Sequence, residues 1–202
     1  PIPGRLAGLA EPPDSVTLAA QIAREYDVEP GNVLVTAGAS MANVIATATA
    51  LDERPGEPRT GDDTPTVLVE KPGYEPLLAT PRAFGGQIHR FVRPAADDYR
   101  LDPDRVDGAL AAEVRLAVVT NRHNPSGRLA SRETLAATAD RVRAAGGRLL
   151  VDEVYAPFTL DPTSGGLGGP TAAGLDDVVV TGSLTKFFGF GGLRVGWLVA
   201  DE

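Results

Sequence analysis

The chain has 202 residues, 43% of them hydrophobic, and carries a formal net charge of -8 from 19 Lys+Arg against 27 Asp+Glu. The length supports one large core or little more, and the acidic balance argues against a nucleic-acid face, which needs clustered Lys and Arg. There is no cysteine, which excludes disulfides, thiolate nucleophiles and Cys-ligated zinc, and the apolar runs are too short to span a membrane.

The N-terminus "PIPGRLAGLAEPP" (1–13) has no signal-peptide pattern, so a cytoplasmic protein is expected. "DSVTLAAQIAREYDV" (14–28) predicts a helix opening on the capping pair Asp14 and Ser15. "NVLVTAG" (32–38) reads as a strand, followed by a helix over 40–52 that starts at Ser40. "DERPGEPRTGDDTP" (52–65) is a charged Pro/Gly loop, expected to be a solvated insertion. "TVLVEKP" (66–72), "QIHRFVRP" (87–94) and "RLAVVTN" (115–121) are further strands. "SRETLAATADRVRAAGG" (131–147) is a helix from Ser131 to a Gly-Gly stop. "RLLVDEVY" (148–155), "DVVVTGS" (177–183) and "RVGWLVAD" (194–201) complete seven strands, with a Gly-rich loop at 161–174. Several strands are continuously apolar, as expected for burial on both faces. The expected fold is α/β, a mostly parallel seven-stranded sheet with helices on both faces. In such sheets, sites form beyond the carboxyl ends of the strands.

Those strand ends carry the chemistry. Gly38, Ala39 and Ser40 would offer free N–H groups at a helix N-terminus to an anion, or form a plain βα turn. Tyr74 follows a strand closely enough to floor a planar ligand, or simply to pack. Asn124, before a proline, is a turn former that could also donate to a ligand oxygen. Asp152 follows four apolar residues, and burying it is costly without a cation. Either Arg or Lys reaches it from elsewhere, a bound cationic heterocycle pairs with it, or it caps the next element. Tyr155 could point its hydroxyl into the same mouth. Ser183 and Lys186 end another strand, and Arg194 follows eight residues after the lysine across "GFGG". The spacing matches neither a phosphate P-loop nor a dinucleotide fingerprint. His89 and His123, the only histidines, have no ligand spacing, so no metal site is expected.

Only Lys71 and Lys186 are lysines. A primary amine can form an imine, whereas a guanidinium stays protonated and is a poor nucleophile. The full set suits a flat, phosphorylated, cationic heterocycle bearing an aldehyde.

"SLTKFFGFGGLRVG" (183–196), "NPSG" (124–127), "DEVY" (152–155) and "TAGAS" (36–40) occur in an order that resembles the class I/II aminotransferase family of fold-type I pyridoxal-phosphate enzymes, specifically their large domain. The resemblance implies pyridoxal 5'-phosphate as cofactor and transfer of an amino group between an amino acid and a 2-keto acid. Lys186 would form the Schiff base and shuttle the proton. Asp152 would pair with the pyridine nitrogen. Tyr155 and Asn124 would hydrogen-bond the ring oxygen, and Tyr74 would stack on the ring. Gly38, Ala39, Ser40, Ser183 and Arg194 would form the phosphate site.

The resemblance also implies a homodimer. It makes 1–202 a single cofactor-binding large domain, with 1–13 a partial N-terminal segment and the C-terminal small domain absent. The same scaffold also hosts decarboxylases, lyases and synthases, and non-catalytic sensor domains of transcription regulators.

Overall fold

The computed structural model describes residues 17–52, 64–111, 114–158 and 170–201. The bulk of the 52–65 insertion, the 161–169 part of the Gly-rich loop and the 1–13 segment lie outside them.

In chain order the elements are α1 (Leu18–Tyr26), β1 (Val33–Thr36), α2 (Ala39–Leu51), β2 (Thr66–Lys71), α3 (Pro76–Ala83), β3 (Gln87–Val92), α4 (Pro103–Asp107), β4 (Val114–Thr120), α5 (Arg132–Ala144), β5 (Arg148–Asp152), β6 (Val178–Ser183) and β7 (Gly196–Ala200). The strands form one sheet in the order β1-β7-β6-β5-β4-β2-β3. β7 runs antiparallel to both its neighbours and every other pairing is parallel.

Helix ends follow local chemistry, with two departures from the sequence reading. Thr17 caps α1 by accepting from the Ala20 N–H at 3.1 Å; the expected pair at 14 and 15 lies outside the described residues. Ser40 does not cap α2. Gly38 holds that position at φ +88° and Ser40 sits within the first turn. Ser131 caps α5 as expected. The sequence reading has no counterpart for α3 and α4. Both are short and open with proline at the first helical position, where its missing N–H is harmless. In α3 a second proline, Pro81, further obscures the helical pattern.

The continuous apolar runs arise because each central strand is covered on both sides. Ala117, Val119, Leu149, Val151, Val178 and Val180 pack in one core with Ile22 of α1, Val106 of α4 and Leu135 of α5. The alternate residues Leu116, Val118, Leu150 and Val179 pack in a second core with Ala46 of α2 and Leu77 of α3. Each fully buried Leu or Val contributes about 1.5–3 kcal/mol. Trp197 of β7 donates its indole N–H to the Tyr26 hydroxyl at 3.0 Å, fixing α1 to the sheet. Its partner across the ladder is Gly182, where any Cβ would overlap the indole.

Candidate active site

All the parallel strands end on the same side, and the loops that follow them enclose one cleft. Ala39, Ser40, Tyr74, Asn124, Asp152, Tyr155, Ser183, Lys186 and Arg194 all line it, joined by Asn43, Thr120, Val154 and Thr185. Gly38 is the one candidate outside the lining. It lies behind Arg194, whose Nη2 would stand 2.9 Å from a Cβ at that position.

One end of the cleft is built for an anion. Among the described residues, nothing accepts from the backbone N–H groups of Ala39 and Ser40 at the start of α2. Such groups, aligned with the helix dipole, favour negative charge. Arg194 reaches the same place from the turn before β7. The left-handed residue of this turn is Arg194 itself, at φ +52°; of the "GFGG" glycines only Gly189 has positive φ. Gly196 lets β7 approach, since a Cβ there would sit 2.5 Å from the Ala39 nitrogen. Ser183 is buried, and its Oγ accepts from the Thr185 N–H at 2.9 Å. That bond uses a lone pair and leaves the hydroxyl proton free to donate.

The other end is built for a cation. Asp152, at the end of β5, is 7% exposed. Its Oδ2 accepts from Asn43 Nδ2 at 3.0 Å and its Oδ1 from the Val154 N–H at 3.1 Å. The second bond closes a turn; residues 153–158 form no helix for Asp152 to cap. No Arg, Lys or His among the described residues lies within ion-pair distance of it. Burial pushes its carboxyl above the ordinary range, opposed by the two hydrogen bonds and by the charge of Lys186. Lys186 likewise has no ion-pair partner among the described residues.

The remaining groups line the same cleft. The Asn124 backbone N–H donates to Thr120 Oγ1 at 2.8 Å, while its side-chain amide has no partner among the described residues. Thr120 Oγ1 in turn donates to Glu70 Oε1 at 2.5 Å. Tyr155 packs against Phe158 with the rings tilted by 43°, and Tyr74 is 46% exposed at the rim.

His123 is structural. It is fully buried, lies 3.0 Å from the Pro72 carbonyl through Nε2 and 2.7 Å from Ser126 Oγ through Nδ1. Donation to the carbonyl makes Nε2 the protonated nitrogen and Nδ1 the acceptor. Burial and the charge of Arg93 lower its pKa to about 4. The neutral ring ties the Tyr74 loop to the Asn124 loop.

The sequence reading missed Asn43, Thr120 and Thr185. Asn43 left one signal, an amide side chain in an otherwise Ala-rich helix interior where Asn is a poor helix former. The residues present fit pyridoxal phosphate on observations of the cleft itself: among the described residues, N–H groups without a partner at the anion end, a buried carboxylate without a cation, and an unpaired primary amine lining the same cleft.

Comparison with known proteins agrees with the architecture. Thermus thermophilus aspartate aminotransferase (tetra mutant) superposes with a TM-score of 0.74 at 23% identity, covering 91% of this chain and 47% of that one. An aromatic aminotransferase from Pyrococcus horikoshii gives 0.74 at 19% identity, with 91% and 47% covered. In sequence, histidinol-phosphate aminotransferase of Halorubrum lacusprofundi is 30% identical over 186 residues, 92% of this chain and 46% of that protein. Threonine-phosphate decarboxylase of a Sinorhizobium species is 44% identical over 140 residues, 69% and 41%. The chain thus spans about half the length of the curated relatives it matches. The family model for aminotransferase class I and II matches residues 10–202, and on that match the chain belongs to this family of pyridoxal-phosphate proteins.

Proposed function

We propose that the protein of which this chain forms part is a pyridoxal-phosphate-dependent aminotransferase, moving an amino group between an amino acid and a 2-keto acid. The observation that carries this reading is the shared cleft of Lys186 and Asp152, an unpaired amine and a buried carboxylate that both lack an ionic partner among the described residues. When bound, pyridoxal phosphate supplies an aldehyde that condenses with primary amines and a protonated ring that withdraws electrons from the substrate Cα.

The chain's own residues do the rest. Ala39 and Ser40 N–H groups, the Ser183 hydroxyl and the Arg194 guanidinium hold the phosphate; Arg suits a bidentate grip. Asp152 would keep the proton on the ring nitrogen. Asn124 and Tyr155 would donate to the ring oxygen, and Tyr74 would cover one ring face. Lys186 Nζ would anchor the cofactor and, once freed by the substrate amine, would be the base that moves the proton from the substrate Cα.

Lys186→Arg tests the reading in the complete protein. The imine absorption should vanish while circular dichroism stays unchanged; persistence of the absorption would refute the role of Lys186. A single-turnover assay tests the reaction class. Added amino acid should convert the aldehyde form of the cofactor to the amine form.

A second reading concerns the substrate. The two relatives above are named for histidinol phosphate and threonine phosphate, both phosphate esters bearing an amine, so we infer that the amino donor is of this class. Release of carbon dioxide from a phosphorylated amino acid, without amine-form cofactor, would instead make the protein a decarboxylase. For assembly and location we propose a cytoplasmic homodimer. No described helix is long and apolar enough to cross a membrane.

A further inference from the structure

The residue that aims Asp152 comes from α2 rather than from the sheet. Asn43 is 6% exposed and uses both ends of its amide. Nδ2 donates to Asp152 Oδ2 at 3.0 Å, and Oδ1 accepts from Thr181 Oγ1 at 2.8 Å. Thr181 is fully buried and pairs directly with Asp152 across the β5–β6 ladder. A threonine hydroxyl has one proton. Directing it at Asn43 Oδ1 leaves only the NH2 end of the amide to face Asp152. The Val154 N–H holds the other carboxylate oxygen, so each oxygen has one fixed donor and the group cannot rotate without losing both.

An amide buried in a helix interior is unfavourable on two counts, propensity and desolvation, and an aliphatic side chain would fill the space. The position also matters along the helix. Ala39 and Ser40, at the anion end, lie one turn before Asn43 on the same rigid element.

We propose that Asn43 is the positioning residue for Asp152: with Thr181 behind it, it presents the carboxylate to the protonated ring nitrogen, and its place on α2 fixes that carboxylate relative to the phosphate cup. The proposal rests on the pyridoxal-phosphate reading of the cleft. Burial raises the Asp152 pKa and the Asn43 bond opposes that rise. The other ionisable groups acting at this place are Lys186 on the loop after β6, Glu153 beside it on the chain and Tyr26 of α1, and the side-chain partners of Asn43 are Asp152 and Thr181 instead.

The test compares two probes on the complete protein: pyridoxal phosphate, and its analogue with CH in place of the ring nitrogen. Asn43→Leu should weaken pyridoxal phosphate by about ten- to a hundredfold, the scale of one hydrogen bond to a charged group, and leave the analogue's affinity unchanged. The pH below which pyridoxal-phosphate affinity falls should move upward in the variant. Thr181→Val should give the same selective loss, smaller in size, and Thr181→Ser should restore parental behaviour. These threonine variants carry the test if Asn43→Leu fails to fold. Equal weakening of both probes, or of neither, would overturn the proposal. A parental protein that binds neither probe would instead refute the cofactor reading beneath it.

Discussion

Glu70 and Asp152 are both buried carboxylates near the carboxyl ends of strands in one sheet, and they differ in what stands opposite them. Glu70 is 1% exposed and meets Arg93 Nη1 at 2.7 Å, with the Thr120 N–H and hydroxyl on its other oxygen. Asp152 has two neutral donors and no cation at contact among the described residues. A buried charge is tolerated when a countercharge and hydrogen bonds compensate it. Glu70 has its countercharge built into the chain and braces the loops. Asp152 is only half provided for among the described residues, and the proposed pairing with a ligand's ring nitrogen would complete it.

Asp152→Asn should break this contrast most strongly. Turnover by the complete protein should fall on the order of 10²–10³-fold, the scale for loss of one preorganised charge-stabilising group, while the denaturation midpoint holds or rises. A large loss of stability would place Asp152 in the same class as Glu70.

Arg93→Met should do the opposite. It strands Glu70 without its cation and should cost about 3–5 kcal/mol in unfolding free energy. Adding Glu70→Leu should recover much of that loss, measurable by urea titration of the double variant.

Glu153 sharpens the comparison from a third side. Its oxygens accept from the Ala172 N–H at 2.8 Å and the Thr171 hydroxyl at 2.7 Å. Burial pushes its pKa from 4.5 up to about 7. The folded state therefore holds this proton more tightly than the unfolded chain, and the associated stability is lost as pH rises from about 4.5 to 7. Glu153→Gln should flatten that part of the stability profile, read from urea midpoints at the two ends of the window. An unchanged slope would show that the proton affinity of Glu153 does not change on folding. The smallest effect is expected at the surface. Breaking the exposed Arg128–Asp98 pair with Asp98→Ala should change stability by less than about 1 kcal/mol.

Much of the cleft was legible in the sequence because its groups sit on tight turns at strand ends, where a few adjacent residues determine both conformation and chemistry. Lys186, Asp152 and the Ala39–Ser40 turn are of this kind. Asn43, Thr181 and the Glu70–Arg93 pair were not. Their partners are separated by 109, 138 and 23 residues, and nothing local marks one end as waiting for the other. Ser40 misled for a related reason. Serine is a common helix cap, but the close approach of Arg194 and the positive φ at residue 38 give that place to glycine. The short helices α3 and α4 escaped because they have too few turns to establish a periodicity.

The placement of β7 has a consequence for biosynthesis. β1 lies at the sheet edge with β7 as its neighbour, so residues 33–36 find their strand partner only in residues 196–200. Arg194 and Gly196, which complete the anion cup with α2, arrive with the same segment. A chain emerging from the ribosome N-terminus first can form the β2–β6 part of the sheet early. Its first strand and the α2 end of its cleft must wait for residues 194–200. If the cup holds the cofactor's phosphate as proposed, cofactor capture should accordingly follow synthesis of β7, and a nascent chain halted before β7 should leave the ribosome's exit with Asp152 in place and the cup still open.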